Sequence, residues 1–360
     1  MKAKRKILLM AGLSMGLLAC PNKSFALGGG GAGANVGSYT VNLTDLGPMS
    51  GKWSVSGGVD GFGSYLNNPS PTLTTRNQNT SYSIGEAVIQ LHKADGWLHF
   101  TWWGGAWQTP TMGITSDYGA FNSVARLGSA TNPLPTPTFK WWFTVQPSKY
   151  WSISGGEMPS LEGTEIGFDF MNPTFFVSEL NNMQATPGYG PQLNLFFGPA
   201  TFNLQWSDSY HTDRHNMVSA ALTYNLNKDG SDFLIGFGHT NLGHTGNPGV
   251  PHPGVGLGFS EANSSLIGLG AQWVVGPWTV MPEGQYQWLP KNSVSAASGD
   301  PKPLTTYYEA AAMLDLTYQF TPKWSLSVQP QFVYQNGDKH DPNQALFGNW
   351  LQFDSTPGPG

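Results

Sequence analysis

Between Trp324 and Gln335, Trp324, Leu326, Val328, Phe332 and Tyr334 share one parity, and Ser325, Ser327, Gln329, Gln331 and Gln335 share the other. Successive side chains of a strand point to opposite faces, so this stretch predicts a strand with one apolar and one uncharged polar face. The same alternation recurs from about Trp53 to Phe353 with no break in composition, which predicts a single all-β domain. Turn-forming residues punctuate it at 93–96, 147–149, 198–199, 227–230, 276–277 and 321–323. Longer polar stretches fall between them near 67–79, 108–137, 159–190, 241–263 and 290–305, with shorter links near 209–215 and 336–342. Short and long connections therefore alternate along an up-and-down antiparallel sheet of about 14 strands, with 12 or 16 left open by the stretch Asn172 to Asn182, an extra strand or a loop folded inward.

Composition decides where such a sheet lives. Charged residues make up 11% of the chain and aromatics 13%, against about 25% charged in an ordinary soluble domain. Beyond the N-terminal leader no apolar run approaches the roughly 20 residues a spanning helix needs. Lipid satisfies no backbone polar group, so the remaining spanning architecture is a closed transmembrane β-barrel with short periplasmic turns and long extracellular loops. Tryptophan placement agrees. Trp53, Trp97, Trp151, Trp278 and Trp324 sit close to strand starts and predict a lower aromatic girdle, while Trp107, Trp206, Trp288 and Tyr334 sit towards opposite ends and predict an upper one. The competing architecture is a soluble sandwich of two sheets with tryptophans in its core.

Residues 1–26 read as a secretory signal peptide: Lys2, Lys4, Arg5 and Lys6, an apolar stretch from Ile7 to Ala19, and Ser24-Phe25-Ala26 before the cut. Leu17-Leu18-Ala19-Cys20 offers the rival, lipoprotein processing, although Leu18 and Pro21 fit that pattern poorly. Cleavage after Ala26 removes the one cysteine together with five cations and no acid, which takes the formal charge from -5 to -10 and argues against a nucleic-acid partner. The remaining organisation is a flexible Gly-rich segment over 27–50, a barrel over 51–353 and a tail over 354–360. Ala345 to Phe353 alternates and ends on an aromatic residue, resembling the terminal recognition strand of outer-membrane barrels, with the tail as a departure.

The run Trp151-Ser152-Ile153-Ser154-Gly155-Gly156-Glu157-Met158-Pro159-Ser160-Leu161-Glu162-Gly163-Thr164-Glu165, followed by Asn172, resembles the bacterial putative beta-barrel porin-2 family. The opening strand Trp53 to Phe62 is similar to that group as well. The resemblance implies an outer-membrane channel of a Gram-negative bacterium. Members often carry a lysine after the Gly pair, where this chain has Glu157, so no lumen charge is carried over.

Parity assigns faces to the charged strand residues once the apolar set is turned to lipid. Glu86, Lys140, Glu283, Glu309 and Asp315 then face inward, with Asp60 and Glu157 on or near the inner face, and these seven are the expected pore lining. Arg126, Glu162 and Glu165 are candidates for a loop that folds in to constrict the lumen. The excess of carboxylates predicts a cation-biased passage, because a low-dielectric channel focuses the field of its lining charges; the alternative is that these groups pair with Arg126, Arg214 or loop lysines and close the interior. His239, His244 and His252, with His211 and His215, invite a metal reading, but their spacing and Gly/Pro surroundings favour solvated loops. His239, placed at the upper end of a lipid-facing row, could pair with a serine, yet no G-x-S-x-G motif is present.

The expectation is thus an outer-membrane porin passing small hydrophilic solutes or ions, without catalysis, metal or cofactor, embedded in lipid and open to trimer assembly. The alternative is a plugged barrel whose extracellular loops bind a ligand or partner.

Overall fold

The computed structural model describes residues 39–65, 80–106, 138–165, 172, 178–184, 188–208, 215, 217–242, 264–289, 306–321 and 324–336. They form one antiparallel sheet: β1 Tyr39–Leu43, β2 Gly51–Tyr65, β3 Thr80–Lys93, β4 Leu98–Ala106, β5 Thr138–Ser148, β6 Trp151–Met158, β7 Gly188–Phe197, β8 Ala200–Ser207, β9 Met217–Asn225, β10 Phe233–Asn241, β11 Ser265–Val275, β12 Trp278–Leu289, β13 Tyr307–Thr321, β14 Trp324–Val328 and β15 Gln331–Asn336. Each strand from β1 to β14 pairs with its sequence neighbours, the up-and-down order the alternation predicts, and β15 also pairs with β13. β14 and β15 are two halves of one strand, because Pro330 has no N–H to give the ladder and only its carbonyl bonds Leu314 N, at 3.0 Å. Counted so, 14 strands follow one another.

Thirteen of these are strands the turn signals predict. The fourteenth is β1, which lies inside the stretch expected as a flexible lead-in and pairs Tyr39 to Leu43 with Val55 to Gly51. The terminal strand expected over 345–353, the leader and the tail lie outside the described residues, and among those residues β1 does not pair with β14. Links from β1 to β2, β3 to β4, and every second link thereafter are short and gather at one end of the sheet; the strand ends that lead into 66–79, 107–137, 159–187, 208–216, 242–264 and 290–306 lie at the other. Asp95 fastens one tight turn by accepting from Lys52 N at 2.8 Å, while the wholly buried Lys93 ammonium donates to Leu98 O at 2.9 Å and pairs with Asp95 at 3.1 Å.

The two faces of the sheet invert a soluble domain. Leu222, Leu234, Ile267, Leu269, Val275, Phe320 and Phe332 are exposed, Leu269 by 73%, whereas Ser152, Ser219, Gln272, Gln287, Ser325, Ser327 and Gln329 are buried. No water-soluble fold turns this many large side chains outward, so the sandwich reading fails and the exposed row is the lipid surface. Trp97, Trp151, Trp278 and Trp324 are exposed at the tight-turn end. Trp53 departs from its expected place in that girdle: it is buried, with its indole N–H on Met49 O at 2.9 Å and its ring 5.9 Å from Phe100. At the loop end Tyr286 stacks on Trp288 and Tyr308 at 5.7 and 5.9 Å, and Tyr308 meets Tyr334 at 6.3 Å. Ten residue steps separate Trp278 from Trp288 on one strand; at about 3.3 Å each and a typical 40° tilt this spans roughly 25 Å, the height of an outer-membrane apolar band.

Candidate functional site

The enclosed face divides into two walls. From β5 to β8 its described side chains are hydroxyl, amide or apolar except for Lys140 near the loop end of β5. Thr144 Oγ1 and Ser154 Oγ lie 2.7 Å apart, Asn194 Nδ2 donates to Ser152 Oγ at 3.0 Å and Ser154 Oγ at 3.2 Å, and Gln192 and Asn203 each donate to Asn194 Oδ1 at 2.6 Å. Beside it, Trp103 and Trp142 meet edge to face at 5.3 Å, with the Lys140 ammonium 5.6 Å from the Trp103 ring centre. The other wall, β9 to β15, carries the acids Glu283, Glu309 and Asp315, all buried.

Against this second wall lie the described parts of the long connection after β6. Thr164 donates to Glu283 Oε2 through its N–H at 2.5 Å and its hydroxyl at 2.6 Å, and Gln184 Nε2 donates to Glu283 Oε1 at 3.1 Å. Gln285 Nε2 reaches the same Oε1 from its own strand at 2.5 Å. Glu165 accepts from Ser178 N at 3.0 Å, from the Ser178 hydroxyl, and from Gln329 Nε2 at 2.7 Å. Glu162 lies 2.9 Å from His239 Nδ1, and a carboxylate acceptor there sets that nitrogen as the donor. A short helix, α1 Glu179–Met183, starts at the Ser178 cap, whose oxygen accepts from Asn181 N at 3.3 Å, and drives Leu180 and Met183 into a cluster with Ala221, Phe233, Ile235, Phe237, Leu266, Ala311 and Met313. Burying each large side chain contributes about 1.5–3 kcal/mol, so the cluster provides adhesion and the hydrogen bonds provide register.

Close backbone approach completes the seat. A Cβ on Gly270 of β11 would lie 2.5 Å from Thr164 Cγ2, so only glycine lets the methyl sit on the sheet. Gly163 has a φ of +83° and would place a Cβ 2.2 Å from Gln184 Nε2.

Of the residues singled out by parity, Glu283, Glu309, Asp315 and Lys140 stand on the enclosed face. Glu157 does not. Its register places it between Trp141 and Tyr189, both exposed, on the outer row near the loop end. The parity count slipped there because the Gly155-Gly156 pair gives no side chain to read. Asp60 and Glu86 fall at a break in register, since Val59 pairs with Ala87 but Gly61 with Ile84, and their side chains lie outside the described residues. Glu162 and Glu165 are both in the inward segment, buried; Arg126, Arg214 and the stretch 108–137 lie outside the described residues.

His239 corrects the lipid-facing assignment of its row. Phe233, Ile235, Phe237 and His239 are buried on the enclosed face while Leu234 is exposed, because this row packs the inward segment rather than acyl chains. Its Nε2 lies 3.4 Å from Ser264 Oγ. Carboxylate, imidazole and hydroxyl in that order resemble a nucleophilic triad, yet Ser264 is 0% exposed and already accepts from Gln287 Nε2 at 2.9 Å, so the arrangement anchors the segment. His215 is exposed, His211, His244 and His252 lie outside the described residues, and among those residues no group of three or more His, Cys, Asp or Glu is placed to hold a metal.

Sequence reasoning missed Thr164, Ser178, Gln184, Ser264, Gln287 and Gln329 as partners of these acids. One signal was present: Phe233, Leu234, Ile235 and Phe237 make both faces of β10 apolar, and a strand with two apolar faces needs a second apolar partner besides lipid.

A single antiparallel sheet with an exposed apolar face, aromatic belts at both ends and a polar face enclosing a folded-in segment defines a transmembrane β-barrel channel. The chain belongs to the family described as putative beta-barrel porin-2, OmpL-like, whose model matches residues 52–349, and it is accordingly a porin of the bacterial outer membrane. No curated protein matches the sequence. Among solved structures it is similar to a BenF-like porin from Pseudomonas fluorescens Pf-5, at 11% identity and a TM-score of 0.37 over 79% of this chain and 67% of that one. It is also similar to OmpT of Vibrio cholerae lacking loop L8, at 8% identity and 0.30 over 82% and 95%, and to a triple mutant of Rhodopseudomonas blastica porin, at 10% and 0.30 over 83% and 89%.

Proposed function

We propose that this porin passes small hydrophilic solutes and ions by passive diffusion, with a preference for cations, through a lumen narrowed by the segment between β6 and β7. The observation that carries the reading is the seating of residues 161–165 and 178–184 on the β9–β15 wall of the enclosed face. The cation preference is supported by the acids Glu283, Glu309 and Asp315 on the enclosed strands against Lys140. Asp60 and Glu86 join this lining in the proposal, and Arg126 its constriction. Reversal potentials in planar bilayers under a KCl gradient test it: a cation-selective potential is expected, and an anion-selective one overturns the preference.

The density of bonds tying the segment to its wall favours a second reading, a plugged barrel whose extracellular loops bind a ligand or partner. Steady unitary conductance steps from the purified protein decide against it, and their absence decides for it. The assembly we propose is a homotrimer, supported by the small residues of the outer row where Gly284 pairs with Ala312 and Ala310 with Tyr286. Crosslinking in native outer membranes reads it directly.

A further inference from the structure

We propose that the gap between Gln285, Gln287 and Glu309 on the enclosed face is a binding site for a calcium-sized divalent cation, held by two amide oxygens and a carboxylate. The site deepens the cation preference proposed above and rests on the same acidic wall.

Charge on this wall is one-sided. Strands β9 to β15 carry the acids Glu283, Glu309 and Asp315 and no lysine or arginine. All three acids are buried, and the inward segment adds the buried Glu162 and Glu165. The imidazole of His239 is the basic group on these strands, and it meets Glu162. Buried carboxylates in excess of cations lose solvation that neutral donors return only in part, so such a wall draws a counter-cation.

Acids alone select no place for it; two glutamines do. Gln287 is 1% exposed and Gln285 5%, and among the described residues the Oε1 of each accepts no hydrogen bond. Both amides are oriented by groups that can only accept. Gln287 Nε2 donates to Met183 O at 3.2 Å, as well as to Ser264 Oγ at 2.9 Å, and Gln285 Nε2 donates to Glu283 Oε1 at 2.5 Å. An amide oxygen points away from its nitrogen. Ser264 leads into β11, so Gln287 Oε1 turns to the other neighbour of β12, which is β13, where the register sets Glu309 directly opposite. Glu283 lies two residues back on β12, so Gln285 Oε1 turns up the strand toward the same place.

The three oxygens are within reach of one ion. Side chains directly opposite in an antiparallel pair have Cβ atoms about 4.5–5.5 Å apart, and diagonal ones about 7–8 Å. Gln287 and Glu309 stand directly opposite, Gln285 and Glu309 on the diagonal, and the residue opposite Gln285 is Ala311, too short to contend for the ion. Amide and carboxylate oxygens suit Ca2+, which takes about six to eight oxygens at about 2.3–2.6 Å in flexible arrays. Mg2+ demands an octahedron and keeps its waters. With amides as two of its three protein ligands, the site differs from the groups of three ionisable ligands that the described residues lack.

Calcium chloride titrated calorimetrically into the chelator-treated, full-length mature protein in detergent micelles tests the site. One ion per chain is expected, with binding that persists in about 1 M KCl, where a Debye length of about 3 Å removes diffuse attraction to the wall. Glu309→Gln, which keeps the shape and removes the charge, and Gln285→Met, which keeps the length and removes the oxygen, are each expected to lower the affinity at least about tenfold. Heat-modifiable gel mobility checks that each variant forms a barrel. Absence of calcium binding, binding abolished by KCl, or either variant binding as tightly as the wild type overturns the site. Reversal potentials under a KCl gradient separate this result from the cation preference: a cation-selective channel that binds no calcium loses the site and keeps the preference, whereas an anion-selective channel that binds none loses both.

Discussion

Glu283 shows what a single side chain does on the enclosed face. It binds the segment at two points in the chain, Thr164 and Gln184, and so fixes both ends of the inward excursion on one strand. Gln287, two turns of the pleat away, holds Met183 O at 3.2 Å and Ser264 Oγ at 2.9 Å. Gln287→Leu removes the amide donor from both buried acceptors, and we expect seating to weaken by about 1–3 kcal/mol, read as faster amide exchange at Asn181 and Gln184 with β12 itself protected. At the opposite end of the molecule Asp95 behaves differently. The Lys52 N–H and then Lys93 hold its carboxyl below its ordinary 3.8. A group lowered in this way supports the folded turn above its ordinary pKa and loses that support as pH falls through the lowered value, so the Lys52 amide resonance should titrate with a midpoint below 3.8.

Among elements, β10 is the informative one. Read alone, Phe233, Ile235 and Phe237 satisfy the rule that bulky residues face lipid, and Gly236 and Gly238 satisfy the rule that small ones face the lumen. The structure reverses both, because register sets Ile235 against Gly270 and Phe237 against Gly268 and leaves room there for Leu180 and Met183. The strand's partner is 77 residues back along the chain from His239 to Glu162, a separation that no local period encodes. Replacing residues 161–184 by a short Gly/Ser linker should therefore have two effects. Unitary conductance rises severalfold, and the exposed cluster lowers the melting temperature in detergent micelles. A linker variant with wild-type conductance would show that this segment does not set the width.

For the whole molecule the decisive property is which face meets lipid. Leu269→Arg, at the middle of the exposed row, should cost about 2–4 kcal/mol in refolding equilibria with phospholipid vesicles, whereas in a water-facing strand the same change is close to neutral. Alternation, turn chemistry and the spacing of tryptophans were enough to give the strand order, the ends at which short and long links gather, the lipid face of most strands and the inward position of Glu283, Glu309 and Asp315. Each of these follows from period-two geometry and from the lack of water in a bilayer, both local constraints that every strand obeys separately. β1 escaped notice because five residues are too few for a period to show, and Glu157 was misplaced where two glycines erase it. The seat of the inward segment, the His239 contact and the pairing of Glu165 with Ser178 and Gln329 were decided only by tertiary structure. They depend on which distant strands the curved sheet brings opposite the loop after β6, and on a gap at Gly270 that exists only once three strands are in register.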